Sequence, residues 1–208
     1  MKRILLLVKK IKLKIKKKDN KTICVVGVSS KSGVTHLSLS IANFIHSVLR
    51  IKVIYVELKK ESSLLPVVGI KQTKTLDMVS YSYKGVTFVL TDNPKDVINL
   101  MKMKKAWIVI DMESLNQETK TIFTNADNKI ILGFLDPWNQ REYYKFLETN
   151  TMFINGISKI RFSTRSKNKK EKNNLRKFSG MDIVDIPHIE NPFSLKEKEF
   201  DILKQIIE

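Results

Sequence analysis

Cysteine, glycine and proline are all scarce in this chain of 208 residues, with one Cys, seven Gly and five Pro. The lone Cys24 sits inside an apolar run, which excludes a disulfide framework and suits a reducing compartment. So little Gly and Pro excludes collagen-like, linker-rich and disordered classes. No run of eighteen apolar residues occurs, so no transmembrane helix is expected. A signal peptide is not expected either. After Lys2 and Arg3 the apolar run covers only residues 4–8 before lysines resume, and no small-residue cleavage site follows. A cytoplasmic protein is expected, with the inner face of the membrane as a place it could lie against.

Acidic residues are missing from two long stretches, and there the positive charge collects. The net charge is +17. Residues 1–18 hold nine Lys/Arg and no acid; residues 159–177 hold nine more against one acid, Glu171. Clustered positive charge attracts anionic polymers and anionic membrane surfaces. A lysine-rich composition with no function attached is the competing explanation. In residues 1–18, Ile4, Val8, Ile11 and Ile15 fall at helical spacing between lysines, as in a basic amphipathic helix lying on an anionic membrane. Leu13 breaks that stripe, and a solvated arm fits the same residues. The stretch 159–177 has Phe162 at its start, Phe178 just beyond it and no aromatic between. It therefore offers charge without stacking, which suits nonspecific contact with a DNA backbone rather than sequence reading.

What is plentiful is apolar residues, 42% of the chain, enough for one core. Their pattern alternates short β-branched runs with helical spacing. Residues 23–28 form a continuous apolar strand, a Ser/Gly loop covers 29–33, and 35–49 repeat at helical spacing. Residues 51–56 form the next strand. Strands are also expected at 86–90, 107–110, 129–134 and 184–186. Helices are expected at 96–103, 117–124, from Pro137 through Leu147, and at 195–207. Residues 62–83 lack a clean period, with a short helix expected near 76–81. Residues 152–162 form a broken apolar run, and 165–177 a loop or exposed helix. This order predicts an α/β fold with a mostly parallel sheet flanked by helices, residues 21–208 forming the domain and residues 1–20 a basic arm.

The segment TICVVGVSSKSGVTHLSLSIANF, residues 22–44, carries the chemistry. A strand runs into a small-residue loop and straight into a helix, so loop N–H groups and the helix start point at an anion. Ser30, Lys31, Ser32, Gly33, Val34, Thr35 and His36 are thereby candidate phosphate-binding residues. Residues 107–111, WIVID, form an apolar strand ending in the carboxylate of Asp111. A helix cap is the plain alternative for Asp111, a neutral cap for His36 and a surface ion pair for Glu57 with Lys59 and Lys60. His46 and His188 have no second ligand at metal spacing, so no metal other than Mg²⁺ is expected. No G-x-S-x-G elbow occurs.

The loop resembles the deviant phosphate loop of the ParA/MinD family of P-loop ATPases, which reads roughly K-G-G-V-G-K-T-T. Here the matching stretch is Lys31-Ser32-Gly33-Val34-Thr35-His36. Lys31 matches the family's leading lysine, which reaches a partner's nucleotide across a dimer. A second alignment sets Val34 at the phosphate-binding lysine instead. On either alignment no lysine immediately precedes Thr35. Residues 53–57 (VIYVE), WIVID, 134–144 (FLDPWNQREYY) and 183–193 (IVDIPHIENPF) resemble later family segments, so the likeness covers about 22–207. In appearance the chain is similar to the degenerate localisation proteins of the TadZ and CpaE type.

The resemblance implies a P-loop NTPase-like fold, ATP and Mg²⁺ as cofactors with Thr35 and Asp111 holding the metal, Asp111 as in the family's Walker B strand, and a homodimer. The damaged loop implies a noncatalytic localisation or assembly scaffold acting through its basic surfaces. A slow ATP-dependent dimerisation switch, with Lys31 replacing the lost lysine, and a nonspecific nucleic-acid-binding module are the alternatives. The sequence names no catalytic residue and no protein partner.

Overall fold

The architecture is that of a computed structural model, which describes residues 20–103, 105–157, 160–164, 168–181, 183–186 and 188–208. The basic arm, residues 1–18, and Lys159, Arg165 and Lys167 of the second basic stretch lie outside the described residues.

Nine strands form one sheet among the described residues, in the order β3-β4-β5-β2-β6-β1-β7-β8-β9. The strands are β1 (Thr22–Gly27), β2 (Val53–Leu58), β3 (Gln72–Thr75), β4 (Met78–Tyr83), β5 (Val86–Thr91), β6 (Trp107–Met112), β7 (Asn128–Gly133), β8 (Ile160–Thr164) and β9 (Ile183–Asp185). All pairings are parallel except the two made by β4, so the sheet is mostly parallel, as the sequence predicts. Every residue of β1, β2, β6 and β7 is buried. That burial on both faces explains their mostly apolar character.

The helices are α1 (Val34–Asn43), α2 (Leu65–Val68), α3 (Pro94–Lys102), α4 (Gln117–Asn125), α5 (Gln140–Asn155), α6 (Lys169–Ser179) and α7 (Glu197–Ile207). α1 continues into a wider π-type turn, Phe44–Val48. On one face of the sheet, α1 and α7 pack against Ile23, Val25, Tyr55, Val109 and Ile130. On the other, α3, α4, α5 and α6 cover Cys24, Val26, Val56, Ile110 and Ile131.

Three expectations change. The short helix near 76–81 is instead a hairpin of β3 and β4, closed between Thr75 and Met78 by Leu76 and Asp77. Both turn residues have positive φ, 48° and 62°, the geometry of a primed two-residue turn. Leucine gives no signal for that conformation. An L-residue there carries a penalty of about 1–2 kcal/mol, and Leu76 is 48% exposed, so it recovers little by packing. Leu76→Asn is expected to raise stability by about 1 kcal/mol, seen as a rise of about 2–4 °C in melting temperature. The helix expected from Pro137 through Leu147 starts at Gln140 and runs to Asn155. Asp136 organises the turn before it, accepting hydrogen bonds from the Trp138 N–H and the Asn139 side chain. The helix also absorbs the start of the apolar run expected at 152–162, whose end becomes β8.

The stretch 159–177 is partly structural. Arg161 is half-buried and donates to the Ile206 carbonyl at 3.1 Å, while Lys21 reaches the Ile207 carbonyl at 3.1 Å. Both cations thus sit on the carbonyl end of α7, where the helix dipole favours them. Lys172 pairs with Asp185 at 2.6 Å. Leu175 is buried and anchors α6, leaving Lys169, Lys170 and Lys177 exposed.

Candidate functional site

β1 lies in the middle of the sheet, between β6 and β7. Its carboxyl end delivers the loop from Val28 to Gly33 to the edge where α/β sheets place their ligand crevices. The Val28 N–H still bonds the Leu132 carbonyl at 2.9 Å, so the strand guides the chain into the loop. Lys31 and Gly33 adopt left-handed conformations, φ 62° and 89°, which turn the backbone sharply into α1. Ser32 is buried and holds the loop's shape. Its Oγ donates to the Ser29 carbonyl at 2.6 Å and accepts from the Ser29 N–H at 3.2 Å. Gly27 is required by close approach, since a Cβ there would lie 2.9 Å from the Ser29 carbonyl oxygen and from Val34 Cγ2. No side chain caps the start of α1, whereas Asn93, Asn116 and Asn168 cap α3, α4 and α6.

β6 runs between β1 and β2 and brings Asp111 alongside the loop, in register with Val25 on one side and Glu57 on the other. Asp111 is 5% exposed. Tyr55 Oη donates to Asp111 Oδ2 at 2.7 Å, and Thr35 lines the same cavity. Burial pushes the Asp111 carboxyl above the usual carboxylate range and nearby Glu57 adds to this, while the hydrogen bonds from Tyr55 and Thr35 and the charge of Lys59 oppose it. Glu57, also buried, accepts hydrogen bonds from the Ser62 and Ser63 hydroxyls. It is therefore a buried carboxylate tied to a loop rather than the surface partner of Lys59 and Lys60.

A cavity of about 410 Å³ is lined by residues 29–36 with Lys59, Asp111, Met112 and Glu113. Each residue predicted from sequence, Ser30, Lys31, Ser32, Gly33, Val34, Thr35, His36 and Asp111, borders this one space. Thr35 and Asp111, paired in the sequence reading, both line this cavity. His36 borders the cavity, but its Nε2 lies 2.7 Å from the Ile189 carbonyl, and Asn43 reaches the Pro192 carbonyl at 3.1 Å. Those two side chains fasten the segment before α7 to α1. Lys59 and Glu113 were not predicted for the site. A larger cavity, about 550 Å³, opens at the opposite edge of the sheet among Thr22, Ile98, Met101 and Ile108. It lacks the loop and the paired oxygen donors. Among the described residues no three His, Cys, Asp or Glu side chains could together hold a metal, and no helix is long and apolar enough to cross a membrane.

The mostly parallel nine-strand sheet with a Ser/Gly loop at its central strand defines a ParA/MinD-like P-loop fold. No protein-family model matches the sequence, and no curated protein matches it. Solved structures do. A ParA family ATPase from Chlorobium tepidum TLS superposes with a TM-score of 0.70 at 14% identity, over 89% of this chain and 96% of that one. A putative plasmid partition protein from Borrelia burgdorferi B31 bound to AMPPNP gives 0.62 at 16%, over 90% and 97%. The septum site-determining protein MinD of Pyrococcus horikoshii OT3, complexed with Mg-ADP, gives 0.62 at 14%, over 88% and 95%. Identities this low establish the shared fold.

Proposed function

We propose that this chain is a ParA/MinD-like localisation or assembly factor that holds a Mg²⁺·nucleotide at the loop of β1 without turning it over. One observation carries the reading: Thr35 and Asp111 line one cavity, while the position before Thr35 is Val34, packed against Gly27. A hydroxyl and a carboxylate are the hard oxygen donors that Mg²⁺ prefers. The loop N–H groups and the start of α1 suit phosphate oxygens. The residues present therefore fit Mg²⁺ with a nucleoside phosphate, Thr35 and Asp111 holding the metal, which would supply positive charge to the phosphates. The loop supplies no lysine point charge of its own. Phosphoryl transfer depends on positioned positive charge, so the cradle favours binding over hydrolysis.

Nucleotide occupancy would then set the state of a homodimer, with Lys31, exposed at the loop's tip, facing a second copy. Residues 1–18 and the exposed lysines of α6 would contact an anionic membrane or DNA. Equilibrium binding of a fluorescent ATP analogue, with and without Mg²⁺, tests the core of this reading. Micromolar binding that depends on Mg²⁺, with no phosphate release over hours, is expected. No binding at millimolar nucleotide would reduce the loop to a fold relic. Steady turnover would restore the ATPase switch.

A further inference from the structure

β2 ends at Leu58, but the Lys59 N–H continues the ladder to the Thr91 carbonyl at 3.0 Å. Its backbone is therefore held at the sheet edge like a strand residue. Strand side chains alternate faces, so Tyr55, Glu57 and Lys59 share one face of β2. That face also carries Asp111, since Glu57 pairs in register with Asp111 on β6. Lys59 accordingly lines the loop cavity with Thr35 and Asp111. It is half-buried, and among the described residues its ammonium makes no ion pair or hydrogen bond. Its charge is nonetheless felt at Asp111, where it favours the ionised carboxylate. Lys31, the other cation of this cavity, is exposed on the tip of the loop, and Lys60 lines the neighbouring cavity of about 270 Å³, which Lys59 also borders.

We propose that Lys59, entering from the end of β2, supplies the positive charge on the bound phosphates that the loop itself lacks. The inference rests on the nucleotide-binding reading above. An ammonium on a half-buried stem, unpaired and beside the metal-holding carboxylate, is free to contact a polyphosphate without breaking an existing interaction. Its stem is half-buried, so fewer rotamers need to be lost on binding than for an exposed lysine.

The test is binding of N-methylanthraniloyl-ATP with Mg²⁺ to the full chain and to Lys59→Gln, Lys59→Arg, Lys60→Gln and Lys31→Gln. Thermal melts establish that each variant is folded. Loss of one charge-assisted contact is expected to weaken Lys59→Gln by about 10- to 100-fold. Lys59→Arg is expected to stay within a few-fold of wild type, and Lys60→Gln, which removes the same net charge, to match it. Equal affinities for Lys59→Gln and Lys60→Gln, with wild-type binding intact, would overturn the role of Lys59 and leave the nucleotide reading standing. A large loss confined to Lys31→Gln would assign the charge to the loop and overturn it as well. Failure of the wild type to bind at millimolar nucleotide would sink both.

Discussion

Asp111→Asn is expected to weaken Mg²⁺·nucleotide binding by about a hundredfold or more while making the protein more stable at neutral pH. The first effect follows from the donor set. Replacing even an outer partner of a metal ligand costs about 10- to 100-fold in metal affinity, and here the anionic ligand itself is lost. The second follows from burial. The Asp111 carboxyl is pushed above the usual carboxylate range chiefly by desolvation, so keeping it ionised at neutral pH works against the fold. An asparagine removes that charge yet keeps an oxygen to accept from Tyr55. A carboxyl whose pKa is raised on folding favours the fold at low pH, where it is protonated, and loses that contribution as pH rises through its folded pKa. The variant's advantage should therefore be absent below the ordinary carboxylate range and grow above it, to about 0.5–2 kcal/mol. Urea unfolding from acid to neutral pH, alongside nucleotide titration, measures both. A variant less stable than wild type at neutral pH would show that Asp111 is held for structure rather than for a ligand.

Tyr143→Ala is expected to cost about 3–5 kcal/mol of stability, close to the whole margin of a small domain. The ring is fully buried on α5, and its hydroxyl donates to the Ile131 carbonyl at 3.0 Å, with the Ser163 carbonyl at 3.2 Å. It sits directly on Gly133, where a Cβ would come within 2.6 Å of the ring. Phe162 packs beside it, with ring centroids 6.1 Å apart. One side chain thus ties α5 to both β7 and β8, and the rigid backbone beneath it cannot collapse to fill the void. Tyr143→Phe, which keeps the ring, should cost only about 0.5–1.5 kcal/mol. Denaturant midpoints for the two variants separate packing from hydrogen bonding. Equal losses in both would place the effect in the hydroxyl instead.

Legibility followed the range of the interactions involved. β1, the loop and α1 could be read because each signal is local: a β-branched run, small residues, then a helical repeat. WIVID could be read for the same reason, as an apolar run closed by a carboxylate. The β3–β4 hairpin could not, because its turn uses Leu76 and Asp77 in a conformation that glycine or asparagine normally signals. His36 could be placed at the loop, but its bond to Ile189, 153 residues away, carries no trace in neighbouring residues. Lys59 reads in the sequence only as a surface ion-pair partner of Glu57. Only the pairing of β2 with β6, and of β6 with β1, carries it to the loop cavity.

The amino-acid sequence alone determined the α/β class, the small-residue loop between a strand and a helix, the Thr35 and Asp111 candidates and the valine before Thr35. All of these are properties of residues within a few positions of one another. The tertiary structure alone decided which charges converge on that loop, that Asp111 is held by Tyr55, and that Arg161 and Lys172 belong partly to the scaffold. Strand order brings together residues far apart in the chain, and their proximity depends on the packing of the whole sheet.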